Sequence, residues 1–130
     1  MKFLILVGVG GALGSCLRYL VYKYMIGVSF AKGLPVFPWA TLIVNVIGSF
    51  LIGYAIVLII KKLAGSPEVR VFFITGILGG FTTFSAFSLD AYELYINRNF
   101  TLAVSYVIGS VGLGIVSLLL GIALSEWLHS

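Results

Sequence analysis

Charged residues are scarce in this sequence. Asp, Glu, Lys and Arg make up 9% of its 130 residues, whereas hydrophobic residues make up 61%. A soluble domain carries about 25% charged residues, so this chain has too few to cover a surface that faces water. The composition therefore excludes a soluble enzyme and predicts an integral membrane protein, and the length leaves room for a single domain.

Cysteine and histidine are almost absent. Cys16 and His129 are the single residues of their types, so the chain cannot form an intrachain disulfide and has no Cys and His cluster with metal-ligand spacing. His129 lies next to the C-terminus, where we expect a frayed helix end rather than a functional site.

Acidic residues are missing from the middle of every apolar segment. The four in the sequence lie near predicted helix ends: Glu68, Asp90, Glu93 and Glu126. Proton-coupled transporters keep acids within the membrane, so this distribution disfavours proton coupling. Asp90 and Glu93 are one helical turn apart and could also form a metal pair, but we favour a solvated helix end beside Arg98.

Long apolar runs are what the sequence does contain. Its charge-free stretches are 3–17, 33–60, 71–89 and 99–125. A spanning helix needs about 20 apolar residues; three runs are long enough, and the first extends past Arg18 because a long basic side chain can snorkel to the interface. We predict an all-α membrane protein with one transmembrane domain over 1–130 and helices at about 3–25, 38–61, 70–96 and 100–127.

Basic residues are balanced between the two ends of this bundle. If the helices alternate in direction, one side of the membrane receives Lys2, Lys61, Lys62 and Arg70. The other side receives Arg18, Lys23, Lys32 and Arg98. Membrane orientation is set by an imbalance of such residues, so we expect insertion in both orientations, which permits an antiparallel homodimer. The placement of these basic residues at helix ends also argues against nucleic-acid binding, despite a net charge of +4.

Small and polar residues mark the faces that pack or carry function. Glycine and serine stripes on the first and fourth helices predict close helix contacts. In the second helix, Thr41, Asn45 and Ser49 follow the helical spacing. An intramembrane Asn needs partners, so we interpret Asn45 either as a hydrogen-bond donor to an anion or as a link between helices.

The third apolar segment contains the least helix-like stretch of the chain. Gly76, Gly79 and Gly80 fall within five residues and are followed by hydroxyls and phenylalanines. Glycine costs about 1 kcal/mol in a helix interior, and broken membrane helices expose carbonyls that can bind cations and helix N-termini that favour anions. We therefore predict that the third helix is broken near 79–82, with a site at the break.

Phe84 and Phe87 share one face of the helix after this break. The edge of an aromatic ring carries partial positive charge, so two rings that present their edges to a pore could coordinate an anion. Core packing is the alternative role for such a pair.

The segments together resemble the Fluc/CrcB family of fluoride channels over essentially the whole chain. The matching motifs are G-G-A-L-G-S-C-L-R-Y, T-L-I-V-N-V-I-G-S-F, G-G-F-T-T-F-S-A-F-S and S-Y-x-x-x-S. The third motif is highly specific, and the others support it. The resemblance implies that the chain is no enzyme but a channel in the lipid bilayer of a bacterial inner membrane, where an antiparallel homodimer passively exports toxic cytoplasmic fluoride.

The resemblance also implies roles for single residues. It places along the fluoride path Phe84, Phe87, Asn45, Thr41, Tyr106, Ser110 and Arg18. Backbone carbonyls of Gly79 and Thr82 from both subunits would hold a structural sodium ion, which is not transported. One turn beyond Ser110, where some relatives are expected to carry another hydroxyl, this chain has Gly114.

A small dual-topology multidrug exporter is the alternative class with this length and charge balance. Such an exporter exchanges protons for a cationic drug through an acidic residue in its first helix. Residues 3–25 contain no Asp or Glu, which favours the channel.

Overall fold

The computed structural model describes residues 1–33, 37–97 and 99–130. Within them lie four helices long and apolar enough to cross a membrane: Lys2–Lys32, Trp39–Lys62, Pro67–Ile96 and Phe100–Leu128. The predicted all-α architecture of four membrane helices is confirmed. The expected neighbourhood of Asp90 and Arg98 cannot be described, because Arg98 lies outside the described residues.

The first helix continues beyond residue 25, where we expected its end. It stops at Lys32 because Gly33 adopts the left-handed conformation, with φ 58° and ψ 34°, and donates its N–H to Phe30 O at 3.3 Å. Glycine takes this conformation readily and commonly ends helices. The 31 residues of this helix span about 46 Å, which exceeds the hydrocarbon core of about 30 Å.

The four helices pack as two close pairs. The first helix lies against the N-terminal half of the third, and the second lies against the fourth. Glycines allow both contacts: a Cβ atom on Gly14 would overlap the carbonyl oxygen of Ile77, and one on Gly121 would overlap that of Phe50. Van der Waals packing of this kind drives helix association in lipid, and the predicted packing role of small residues is confirmed at these positions.

Contacts at the helix ends fix the directions of the helices. The Phe37 and Tyr106 rings lie 5.5 Å apart near the start of the second and fourth helices, and Tyr54 Oη lies 3.4 Å from His129 Nε2 near their far ends. These two helices therefore run parallel.

His129 is not a frayed residue, because its ring contacts the second helix and its N–H donates to Ser125 O at 3.1 Å.

The third helix is broken, as predicted, and the break falls at two threonines. Its parts are a first turn at Pro67–Arg70, a π-helical segment at Val71–Leu78, a last turn at Gly79–Phe81 and a C-terminal half at Phe84–Ile96. Thr82 (φ −79°, ψ 159°) and Thr83 (φ −153°, ψ 121°) are extended. Gly79 keeps helical angles of φ −65° and ψ −35°, so the β-branched threonines, which favour extended backbone, form the break rather than the glycines.

Candidate ion pathway at the helix break

Two threonine side chains cap the helix ends at the break. Thr82 Oγ1 donates a hydrogen bond to Leu78 O at 2.9 Å, and Thr83 Oγ1 accepts one from Ala86 N–H at 3.2 Å. The first bond occupies a carbonyl at the end of the N-terminal half, and the second is an N-cap of the C-terminal half. The extended segment is thus stabilised by its own side chains.

Asn45 binds the backbone of the break from the second helix. Its Oδ1 accepts a hydrogen bond from Thr83 N–H at 2.8 Å, and its Nδ2 donates one to Thr83 O at 3.0 Å. An amide nitrogen has two donors, so one N–H of Asn45 is not needed for this pairing. The link between helices, which was one of the two roles predicted for Asn45, is therefore present. The second N–H of the Asn45 amide can still donate to a ligand.

The break also removes the helical partners of the last four carbonyl groups of the N-terminal half, at residues 79–82. In a continuous helix Thr83 N–H would donate to Gly79 O and Ala86 N–H to Thr82 O. Here these N–H groups donate to Asn45 Oδ1 and to Thr83 Oγ1 instead. Gly79 is also exposed. Gly79 and Thr82, which the resemblance assigns to a sodium site, are therefore two of the four residues whose carbonyl oxygens lack their usual helical donors.

A cavity of about 210 Å³ lies beside the break. Asn45, Ser49, Thr82 and Phe84 are among the residues that line it. A Cβ atom on Gly114 would lie 3.7 Å from Ser49 Oγ. The Ser49 hydroxyl therefore lies beside the position at which Gly114 lacks one.

Aromatic rings form a continuous row from the break to the fourth helix. The ring centroids of Phe84 and Phe87 are 5.5 Å apart with an interplanar angle of 42°, and those of Phe87 and Tyr106 are 5.4 Å apart. Phe84 is 79% exposed, whereas Tyr106 is 2% exposed. The structure therefore brings these predicted site residues together, with Phe84 at the outer end of the row.

Asp90 is a residue at this site that sequence reasoning missed. Tyr106 Oη donates a hydrogen bond to Asp90 Oδ2 at 3.2 Å, and Asp90 is half-buried. We had expected a solvated helix end. The spacing could have placed Asp90 at this site, because Asp90 lies one helical turn after Phe87 and on the same face of the helix.

Two further predicted hydroxyls are buried in the bundle. Thr41 is 2% exposed and its Oγ1 lies 2.6 Å from Tyr22 Oη. Ser110 is 9% exposed, and its Oγ has no hydrogen-bond partner within the part of the chain that the structure describes. A buried hydroxyl without a partner is costly, so the Ser110 hydroxyl is available to a ligand.

Arg18 lines a different cavity from the one at the break. It lines a cavity of about 530 Å³ together with Tyr19, Tyr22 and Lys23 of the first helix and Ala86 of the third. A single chain therefore places predicted residues at the break cavity, along the aromatic row that begins there at Phe84, and in a basic cavity beside the first helix.

Comparison with known proteins identifies the family. The family described as CrcB-like protein, Camphor Resistance (CrcB), matches residues 5–122. The chain is 52% identical over 124 residues to a protein of Rhizobium meliloti (strain 1021), a match that covers 95% of this chain and 96% of that protein. It is 45% identical over 122 residues to one of Agrobacterium fabrum (strain C58 / ATCC 33970), with 93% and 94% covered.

A third relative comes from Hahella chejuensis (strain KCTC 2396); it is 43% identical over 123 residues, with 95% of this chain and 94% of the relative covered. All three relatives are named fluoride-specific ion channel FluC. The family is therefore one of ion channels and not of enzymes. With four helices that can cross a membrane, this multi-pass membrane protein belongs to the CrcB family.

Proposed function

We propose that the chain is a fluoride channel of a bacterial inner membrane, through which cytoplasmic fluoride leaves the cell passively. The observation that carries this proposal is the cavity at the break, where Asn45, Ser49, Thr82 and Phe84 meet. Fluoride is small and strongly hydrated, so a pore must replace its water while binding it weakly enough to release it. Amide, hydroxyl and ring-edge donors meet both demands, because none of them carries a full charge.

The fluoride path continues along the other polar groups of the bundle. Arg18 and Lys23 attract anions into the basic cavity, since a cleft lined by one sign of charge raises the local concentration of counter-ions. The Ser110 hydroxyl offers a donor that has no partner among the described residues. In this proposal, the ring edges of Phe84 and Phe87 line the path between the Ser110 hydroxyl and the Asn45 amide.

The channel is an antiparallel homodimer in this proposal. Non-helical backbone within a membrane must be buried in protein or line a cavity, yet Gly79 and Phe84 beside the break are exposed in one chain. A second copy would cover this surface. The balanced basic residues permit the opposite orientation of the two copies.

A sodium ion at the dimer centre fits the residues present. Hard cations prefer oxygen ligands, and the carbonyl groups of Gly79 and Thr82 have lost their usual helical donors at the break. Carbonyls from two copies would form an oxygen shell without any acidic side chain. The ion would supply a positive charge that ties the two broken helices together.

Fluoride efflux from liposomes tests the proposed function. Purified full-length protein should release loaded fluoride far faster than protein-free liposomes and should not release chloride. Phe84→Ile should lower the fluoride efflux rate at least about tenfold, because the ring edge is lost. Phe30→Ile is the matched control, since Phe30 is exposed on the first helix and its variant should conduct normally. A wild-type protein that passes no fluoride, or passes chloride equally well, would refute the proposal.

A further inference from the structure

We infer that the hydroxyl of Tyr22, paired with Thr41, is an anion-binding donor of the channel entrance. This inference rests on the proposed function, to which it adds a residue of the first helix. The sequence singled out Thr41 alone, and the contact with Tyr22 joins residues 19 positions apart on different helices.

The pairing itself is short and well protected. Tyr22 Oη and Thr41 Oγ1 are 2.6 Å apart, at the short end of the range for hydroxyl pairs. Thr41 is 2% exposed and Tyr22 is half-buried. A threonine in a helix commonly bonds to a carbonyl one turn earlier in its own helix, whereas Thr41 bonds to a neighbouring helix.

One of the two hydroxyl protons of this pair is always left to donate to another group. Each hydroxyl carries one proton, and one proton is used in the bond between Tyr22 and Thr41. If Tyr22 donates to Thr41, then the Thr41 proton remains; if Thr41 donates, then the Tyr22 proton remains. The pair can therefore donate to a ligand in either arrangement without breaking its own hydrogen bond.

The position of Tyr22 connects two cavities. It lines the basic cavity of about 530 Å³ with Arg18 and Lys23, and it also lines a cavity of about 410 Å³ with Thr41 and Asp90. Tyr22 is therefore a wall residue shared by the cavity that contains the basic side chains and the cavity that contains the Asp90 carboxylate.

The hydroxyl pair helps a small hydrated anion to enter the second cavity, although that cavity also contains a carboxylate. The Asp90 carboxylate already accepts the hydroxyl of Tyr106, and its negative charge repels an anion. A neutral donor on the wall of the same cavity offsets this repulsion, because it can replace a water molecule of the anion's hydration shell. The same donor carries no full charge, so it releases the ion readily.

Fluoride efflux from liposomes containing hydroxyl-deleted variants tests this inference. Tyr22→Phe and Thr41→Val each remove one hydroxyl and keep the side-chain shape. We expect each to slow efflux about three- to tenfold, the effect of one lost hydrogen bond. The double variant has no hydroxyl proton left at this place, so it should be slower than either single variant.

Two control variants separate this role from a merely structural one. Tyr24→Phe removes an exposed hydroxyl on the same helix and should conduct like the wild type. Thr41→Ser restores the hydroxyl that Thr41→Val removes and should recover the efflux that is lost in Thr41→Val. Elution volume and thermal midpoint in detergent check that each variant is folded, and Thr41→Val tests the pair even if Tyr22→Phe misfolds.

The possible outcomes distinguish this inference from the proposed function. Tyr22→Phe efflux equal to wild type, or a double variant no slower than the slower single variant, would overturn the inference while the fluoride channel stands. A wild-type protein without fluoride efflux would overturn both.

Discussion

The side-chain amide of Asn45 pairs with both backbone groups of Thr83, accepting from its N–H at 2.8 Å and donating to its carbonyl at 3.0 Å. This relationship joins the second helix to the broken third helix. It satisfies two backbone groups that a continuous helix would have satisfied internally. The geometry of the pathway therefore depends on an amide, and a carboxylate of the same shape cannot replace it.

Asn45→Asp should disrupt this pairing. One carboxylate oxygen would still accept from Thr83 N–H, but the other would face Thr83 O without a proton to donate. We expect a loss of about 1–3 kcal/mol in the free energy of unfolding and at least about tenfold slower fluoride efflux. Chemical denaturation in detergent and liposome efflux measure the two effects.

Asn99→Asp is the matched control for that substitution. Asn99 caps the fourth helix by accepting a hydrogen bond from Leu102 N–H at 3.2 Å. Aspartate caps helices as well as asparagine does, so this variant should match the wild type in stability and efflux. Equal effects of the two substitutions would show that the Thr83 pairing has no special role.

Tyr106→Phe should lower both stability and efflux. The change leaves the half-buried Asp90 carboxylate without the hydroxyl that donates to it at 3.2 Å, and an unpaired buried acceptor costs about 1–3 kcal/mol. Tyr95→Phe serves as the comparison, because Tyr95 is exposed on the third helix. A Tyr106→Phe variant as stable and as conductive as Tyr95→Phe would contradict this account of Asp90.

Gly121→Ala should be far more damaging than Gly112→Ala on the same helix. A Cβ atom at Gly121 overlaps Phe50 O, whereas one at Gly112 meets no described atom within 4 Å. Overpacking costs about 1–3 kcal/mol, and alanine in open space gains up to about 1 kcal/mol of helix propensity. Thermal midpoints in detergent should therefore fall for Gly121→Ala and hold or rise for Gly112→Ala; the reverse order would refute the close contact of the second and fourth helices.

Sodium removal should destabilise the dimer. A ligand that binds only the folded protein adds about 2.7 kcal/mol of stability at 100 times its dissociation constant. Replacing sodium with N-methyl-D-glucamine should lower the thermal midpoint, and returning sodium should restore it. Identical midpoints, once radioactive sodium has been shown to exchange fully, would rule out the proposed site.

The membrane helices were predictable because they depend on local composition. Apolar runs, few charges and glycines near hydroxyls predicted four spans and a broken third helix. The exact ends of the helices were harder to predict. Gly27 lies inside the first helix, whereas Gly33 has a positive φ and ends that helix. The break lies at Thr82 and Thr83, since Gly79 retains helical angles.

The contacts between helices were not predictable from one sequence. Asn45 could be identified as a residue that needs partners, but Thr83 as its partner lies 38 positions away. The pairs of Tyr22 with Thr41 and of Tyr106 with Asp90 likewise depend on how the helices pack. Periodicity shows which face of a helix is polar and does not show which residue it meets.

A current recording in a planar lipid bilayer with unequal fluoride and chloride concentrations tests the central claim most directly. If neutral donors at the break select fluoride, the reversal potential should equal the fluoride equilibrium potential, and Asn45→Asp should reduce the current. A reversal potential that follows the chloride gradient, or the absence of any fluoride current from folded wild-type protein, would contradict the account.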